Sequence, residues 1–293
     1  MDTDGIHRFG REEGWEEAFH FGFHDSKNDL SGFMGVGLTP NLHKKNVFCL
    51  LLLPDGGAVG LRREVRFDST ELSAGGLVFQ MIIPEERWKL MFNGTMPDMT
   101  GRGSRRRTSL LLDFEASSPV FDHRECGGSF HRMLSGGDFE QVEQLGTVSG
   151  TVEVADREFE VQAVGAKSHH WGVKDRENAE YTWVAALLED GSGFDLSAVR
   201  TADGEVLSGF VQLEGEKLPL RDGLVVSHLG DSGEPLSLGI VMNHEKGSAE
   251  TEGEVRKNAV VNLPGGGKRY HIVSRFTMGG ETGFGVGEYL DRR

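Results

Sequence analysis

The chain has little of what marks the common enzyme classes, and each shortage excludes something. Two cysteines, Cys49 and Cys126, occur in 293 residues. That is too few for a disulfide framework or a metal knuckle, so a reducing, cytoplasmic setting is expected. Basic residues are outnumbered, 31 against 46 acidic ones, for a formal charge of −15. Nucleic acid and anionic membrane surfaces both require a basic footprint, which disfavours them as partners. The basic cluster at 101–107, "GRGSRRR", reads as a solvated loop. The longest apolar run, "VFCLLLLP", is too short for membrane insertion, and the acidic N-terminus shows no apolar leader. No phosphate loop, H-E-x-x-H or G-x-S-x-G is present. "GFGVGEYL" has suggestive glycines, yet it is strand-like and no helix follows.

Glycine, in contrast, occurs 42 times against 8 prolines. In the second half, "EDGSG", "ADGE", "LEGE", "RDG", "GDSGEP" and "LPGGGK" recur at the spacing of turns in an antiparallel sandwich or barrel. The segments between them read as strands, and "EFEVQAV" and "RYHIVSRF" alternate apolar and polar residues. Helix is expected only at 11–20 and 136–146. The chain is thus all-β with very little helix, and too long for one small barrel. The polar stretch 116–146 reads as a connector, giving domains at 1–145 and 146–293.

The densest chemistry lies in "AKSHHWGVKD". On a strand, residues two apart share a face, so His169 and Trp171 line one wall and His170 points the other way. An imidazole exchanges protons near neutral pH, and an indole face stabilises cationic character. Core packing of Trp171 with a satisfied His169 is the competing reading. Adjacent histidines diverge and no H-x-H occurs, so no metal is expected. Asp195, in "GFDLSAVR", becomes an acid if it points into a barrel, where desolvation raises a carboxyl pKa. Glu288 is similar, and Asp175 reads as a loop carboxylate. Tyr181 and Trp183, again two apart, share a face.

The block "GTVSGTVEVADREFEVQAVGAKSHHWGVKDRENAEYTWVAALLEDGSGFDLSAVR" resembles the centre of carotenoid 1,2-hydratase-like (hydroxyneurosporene synthase-like) proteins. These are related to the AttH-type double-lipocalin group and to lipocalin-like pericyclases. "EEAFHFGFHDSKNDLSGFMGVGLTPN" resembles the opening of bacterial members of the group. The likeness runs loosely over 15–290 and is sharp only across 146–200. It matches His169, Trp171 and Gly172 to the family's Asp-His-x-Trp-Gly core, with Ser168 in place of the aspartate and Phe194 near an expected tyrosine.

The resemblance implies two consecutive lipocalin-like antiparallel β-barrel or sandwich domains, the second carrying the His-x-Trp-Gly motif. It implies an enzyme, independent of cofactor and metal, acting on a hydrophobic isoprenoid- or polyketide-like molecule. The reaction would be hydration, cyclisation or isomerisation at a carbon–carbon double bond in a barrel pocket. His169 and Asp195 would be the catalytic residues. Trp171, Tyr181, Trp183, Phe194 and Glu288 would contact substrate. The alternative is a non-catalytic carrier of a hydrophobic small molecule. Oligomeric state stays open.

Overall fold

A computed structural model describes residues 3–99, 103–126, 139–173, 180–201, 204–263 and 267–291. The chain is built from strands, nineteen of them among the described residues. The first eight are β1 (Trp15–Asp25), β2 (Leu30–Thr39), β3 (Lys44–Leu52), β4 (Ala58–Arg66), β5 (Ser73–Ala74), β6 (Leu77–Ile83), β7 (Arg87–Pro97) and β8 (Arg105–Ala116). A two-residue strand β9 (Phe121–Asp122) and a 3-10 turn (His123–Cys126) follow. Then come the long β10 (Phe139–Val154) and β11 (Arg157–Val173). The last eight are β12 (Glu180–Leu188), β13 (Gly193–Thr201), β14 (Gly204–Leu213), β15 (Glu216–Leu229), β16 (Pro235–His244), β17 (Gly247–Asn262), β18 (Lys268–Met278) and β19 (Glu281–Asp291). The strands form two lipocalin-like β-barrel domains, as expected. No helix among the described residues is long and apolar enough to cross a membrane.

The division falls elsewhere than expected. One unit comprises Met1–Val120 with Phe139–Lys174, the other Phe121–Asp138 with Asp175–Arg293. The expected boundary at 145/146 lies inside β10. β10 and β11 pair continuously from Phe139↔Gly172 to Val154↔Arg157, and β11 then pairs with β1 from Trp15↔Val173 to His24↔Val164. A strand bonded on both edges cannot be shared out to another domain, so "SHHWG" belongs to the first unit. The polar stretch that read as a connector is not the true end of that unit.

Neither stretch is helical among the described residues: the first is a turn and then strand from Trp15, the second strand from Phe139. In β1 the fully or nearly buried Trp15, Glu17, Phe19, Phe21 and Phe23 recur with period two, and β2 and β11 bond it on either side. These partners override the helical spacing of charges in "REEGWEEAFH". From Phe139 onward "GGDFEQVEQLG" is β10, for the same reason; Gly136, Gly137 and Asp138 lie outside the described residues.

The first unit is an antiparallel sheet in the order β4-β3-β2-β1-β11-β10-β8-β7-β6-β5. It rolls until β4 meets the far end of β7. Val59 bridges Asp98 there, and the Met99 N–H donates to the Ala58 carbonyl at 2.8 Å. Phe19, Phe21, Phe23, Trp88 and Phe114 fill the interior. Cys49 is a buried small hydrophobe, and burial pushes its thiol pKa up.

The second unit is a closed eight-stranded barrel, β12 to β19 in sequence order. Val184, Phe194, Leu196, Ile240, Ile272 and Phe276 pack its interior. The glycines of "GFGVG" make that packing possible: a Cβ at Gly285 would lie 2.8 Å from the Phe276 ring and 2.6 Å from the Ala185 carbonyl. An opening at the barrel mouth, lined by Thr182, Ala198, Arg200 and Tyr289 among others, has about 20 Å³ of space. That holds a water molecule, not a substrate.

Candidate functional site

Because the barrel wall alternates, filling the inside with Val184, Phe194, Leu196 and Ile272 sends their neighbours outward. The outward residues are not ordinary surface. Register aligns His271, Glu288, Trp183, Ser197 and Ser208 in one row across β18, β19, β12, β13 and β14. Tyr181 and Asp195 lie one pleat away from this row on the same face. Trp183 is 7% exposed and Asp195 and Ser197 are 0% exposed, so a second buried layer exists outside the barrel's own core.

This layer is hydrogen-bonded and charged. The Tyr181 hydroxyl meets Ser197 Oγ at 3.0 Å, and His271 Nδ1 lies 3.3 Å from Glu288 Oε1. From the 3-10 turn, His123 Nδ1 reaches Ser208 Oγ at 2.8 Å. A nitrogen of the same imidazole lies within 4.8 Å of an Asp195 carboxylate oxygen. Phe121 packs against Phe210, the register partner of Asp195, with ring centroids 4.9 Å apart. The indole N–H of Trp183 is buried with no acceptor among the described residues. An unpaired buried donor costs about 1–3 kcal/mol, so its presence needs a reason.

Four residues that the sequence offered as candidates, Tyr181, Trp183, Asp195 and Glu288, lie together in this outward layer. The inward reading of Asp195 is the one that the register excludes. Asp195 does not point into the barrel; Phe194 does, meeting Phe276 edge-on at 5.1 Å. Phe194 is therefore core and does not belong with the outward residues. His123 is the member that sequence reasoning missed, because its stretch read as connector. Lys174 and Asp175 lie outside the described residues.

His169 and Trp171 do share a face, in the first unit rather than the second. His169 is fully buried between strands and the N-terminal segment. Its Nδ1 is 2.7 Å from the Thr3 carbonyl oxygen and its Nε2 is 3.0 Å from Glu17 Oε1. Phe19, its register partner, stacks on the ring at 3.7 Å. Glu17 also takes hydrogen bonds from the His7 backbone N–H and ring Nδ1, the latter at 2.8 Å, and His7 stacks on Trp171 at 3.7 Å. Burial holds His169 below its usual pKa. Burial also opposes ionisation of Glu17, but the hydrogen bonds from His169 and His7 outweigh it and hold the carboxyl below its usual range. Two residues along, Lys167 is fully buried against Asp4 and lies over Trp88.

On the other face of β11, His170 contacts Glu16 at 3.2 Å. Ser168, the position lacking the expected aspartate, donates to Glu143 Oε1 at 2.9 Å. Its register partner on β10 thus supplies a carboxylate at that place.

Solved structures share this architecture. An AttH-type protein from Nitrosomonas europaea matches with a TM-score of 0.70 at 13% identity, covering 96% of this chain and 94% of that one. Kievitone hydratase from Nectria haematococca matches with a TM-score of 0.66 at 12% identity, over 95% and 89% of the two chains. CghA, crystallised with Sch210972, gives a TM-score of 0.64 at 11% identity, also over 95% and 89%. At these identities the likeness establishes the fold. No curated protein sequence matches the chain. A family model does match, and it spans residues 1–293: the chain belongs to the family described as domain of unknown function DUF7064.

Proposed function

We propose that this chain is a hydratase- or cyclase-type enzyme that moves protons at a carbon–carbon double bond of a hydrophobic, oxygen-bearing small molecule. The observation that carries this reading is the buried outward layer of the second unit, above all the unpaired indole N–H of Trp183 beside Asp195, Glu288 and Tyr181. Carboxylates and orphan donors destabilise a fold, and folds retain such groups where they perform chemistry or bind ligands.

Each residue then has a task. Asp195 is the acid that protonates the alkene carbon. His123, within 4.8 Å and held by Ser208, exchanges the proton with it. Tyr181 and the Trp183 N–H hold a substrate oxygen, and the Trp183 and Phe210 rings face the carbon skeleton. The need for an acceptor favours a polyketide-like or hydroxylated isoprenoid substrate over a bare hydrocarbon carotene. The named hydratase and the ligand-bound CghA structure show that proteins of this fold include a hydratase and a ligand-binding chain. His169, walled in by Thr3 and Glu17, is a structural residue of the first unit in this reading rather than the proton donor.

A lipocalin-style carrier holds its cargo inside a hollow barrel. Here the barrel interior is packed with side chains, which weighs against the carrier reading. Native mass spectrometry of protein purified from its producing cells would look for a co-purifying small molecule. Feeding that molecule's precursor to wild type and to Asp195→Asn tests the assignment. Turnover by wild type alone supports it, and equal turnover by both removes Asp195 from the mechanism.

A further inference from the structure

We propose that His7, Glu17 and His169 bind a divalent first-row transition ion, with zinc as the reference case, which clasps residues 3–9 to the first sheet. This inference concerns the first unit and stands apart from the activity proposed for the second.

The donor set is the first ground. One nitrogen from each imidazole and one carboxylate oxygen lie within 4.8 Å of one another, the ligand types that zinc and its neighbours prefer. The 2.8 Å and 3.0 Å spacings to Glu17 Oε1 are hydrogen-bond distances, and an ion about 2.1 Å from tetrahedral ligands would open them to about 3.4 Å.

The surroundings are the second ground. A metal-bound histidine is usually oriented by giving its other ring N–H to a carbonyl or carboxylate. His169 does this through the Thr3 carbonyl at 2.7 Å. Stacking of Phe19 on His169 at 16° and of Trp171 on His7 at 11° fixes both ring planes. His7 keeps 20% of its side chain exposed, which leaves an entry route.

The third ground is a proton conflict. Both ring nitrogens of His169 face oxygen acceptors, Nδ1 the Thr3 carbonyl at 2.7 Å and Nε2 a Glu17 oxygen at 3.0 Å, and a neutral imidazole carries a hydrogen for one of them. Two acceptors at that distance repel unless a proton or a cation lies between them. A divalent ion resolves the contact while keeping the imidazole neutral and the carboxylate ionised, the forms that metal binding requires.

The test uses the full chain, stripped with chelator, loaded with zinc sulfate and dialysed. Metal content is read by plasma mass spectrometry, affinity by calorimetry and stability by thermal melting. We expect one retained equivalent and a raised Tm, with affinity about 100-fold weaker or worse in Glu17→Gln and His169→Gln. Should either sheet variant fail to fold, His7→Ala decides, because His7 lies outside the strands. It should keep the wild-type circular dichroism spectrum and lose the ion. Absence of zinc from dialysed wild type, or equal retention by His7→Ala, overturns the proposal.

Discussion

Phe194 and Asp195 are neighbours in the chain and face opposite sides of the barrel wall. Phe194 is buried inside against Phe276; Asp195 is buried outside beside Phe210. The two positions therefore separate stability from activity. Phe194→Ala leaves a cavity and should cost about 3–5 kcal/mol in denaturant unfolding. Asp195→Asn keeps the volume and replaces the proton-donating carboxyl with an amide, so stability should hold while turnover is lost. A large stability loss in Asp195→Asn would mean the carboxylate is structural.

Trp183 offers a trade of the opposite kind. Trp183→Phe removes the unpaired N–H and keeps an aromatic ring on the face. The variant should be neutral or more stable, by up to about 1–3 kcal/mol, while ligand affinity falls. Chemical denaturation and binding of the co-purified ligand measure the two effects. Weakened stability with unchanged binding would show that the indole N–H serves the fold.

The buried Lys167–Asp4 pair ties the N-terminal segment to β11, with the Trp88 indole N–H donating to Asp4 at 3.0 Å. Removing one member strands the other charge, so Lys167→Met should destabilise by about 3–5 kcal/mol. Adding Asp4→Asn should recover part of that loss. A double-mutant cycle reads the coupling, and a coupling near zero would contradict the contact.

Acid should weaken the first unit through His169 and Glu17, measured with chelator present. Both pKa values are lowered in the folded chain, from 6.5 and 4.5. The unfolded chain therefore binds more protons at each, and stability rises with pH. The contribution is complete above about 6.5, declines first through His169 and is lost further as pH falls below 4.5 through Glu17. His169→Gln should remove the first part of the decline in Tm. An identical pH profile in that variant would show that His169 does not titrate on unfolding.

Strand content was legible because period-two alternation and glycine turns are local signals. Which face met the interior was not. "GFDLSAVR" alternates equally well in either phase, and only closure of β12–β19 decides that Phe194 goes inward. The charged stretch "REEGWEEAFH" reads as helix until β2 and β11 bond it from both sides. The His7–Glu17–His169 cluster had no spacing signature at all. Register between β1 and β11 creates it by setting Glu17 against Trp171 and Phe19 against His169. His123 was obscured because a 3-10 turn in a polar stretch looks like any loop.

Solvent deuterium tests the central claim most directly. The precursor of the co-purifying molecule would be incubated with wild type and with Asp195→Asn in deuterated buffer, and the products weighed. Proton transfer by Asp195 predicts one carbon-bound deuterium per turnover with wild type and almost no product with the variant. Product formed without carbon-bound deuterium, or labelled equally by Asp195→Asn, would contradict acid catalysis on this face.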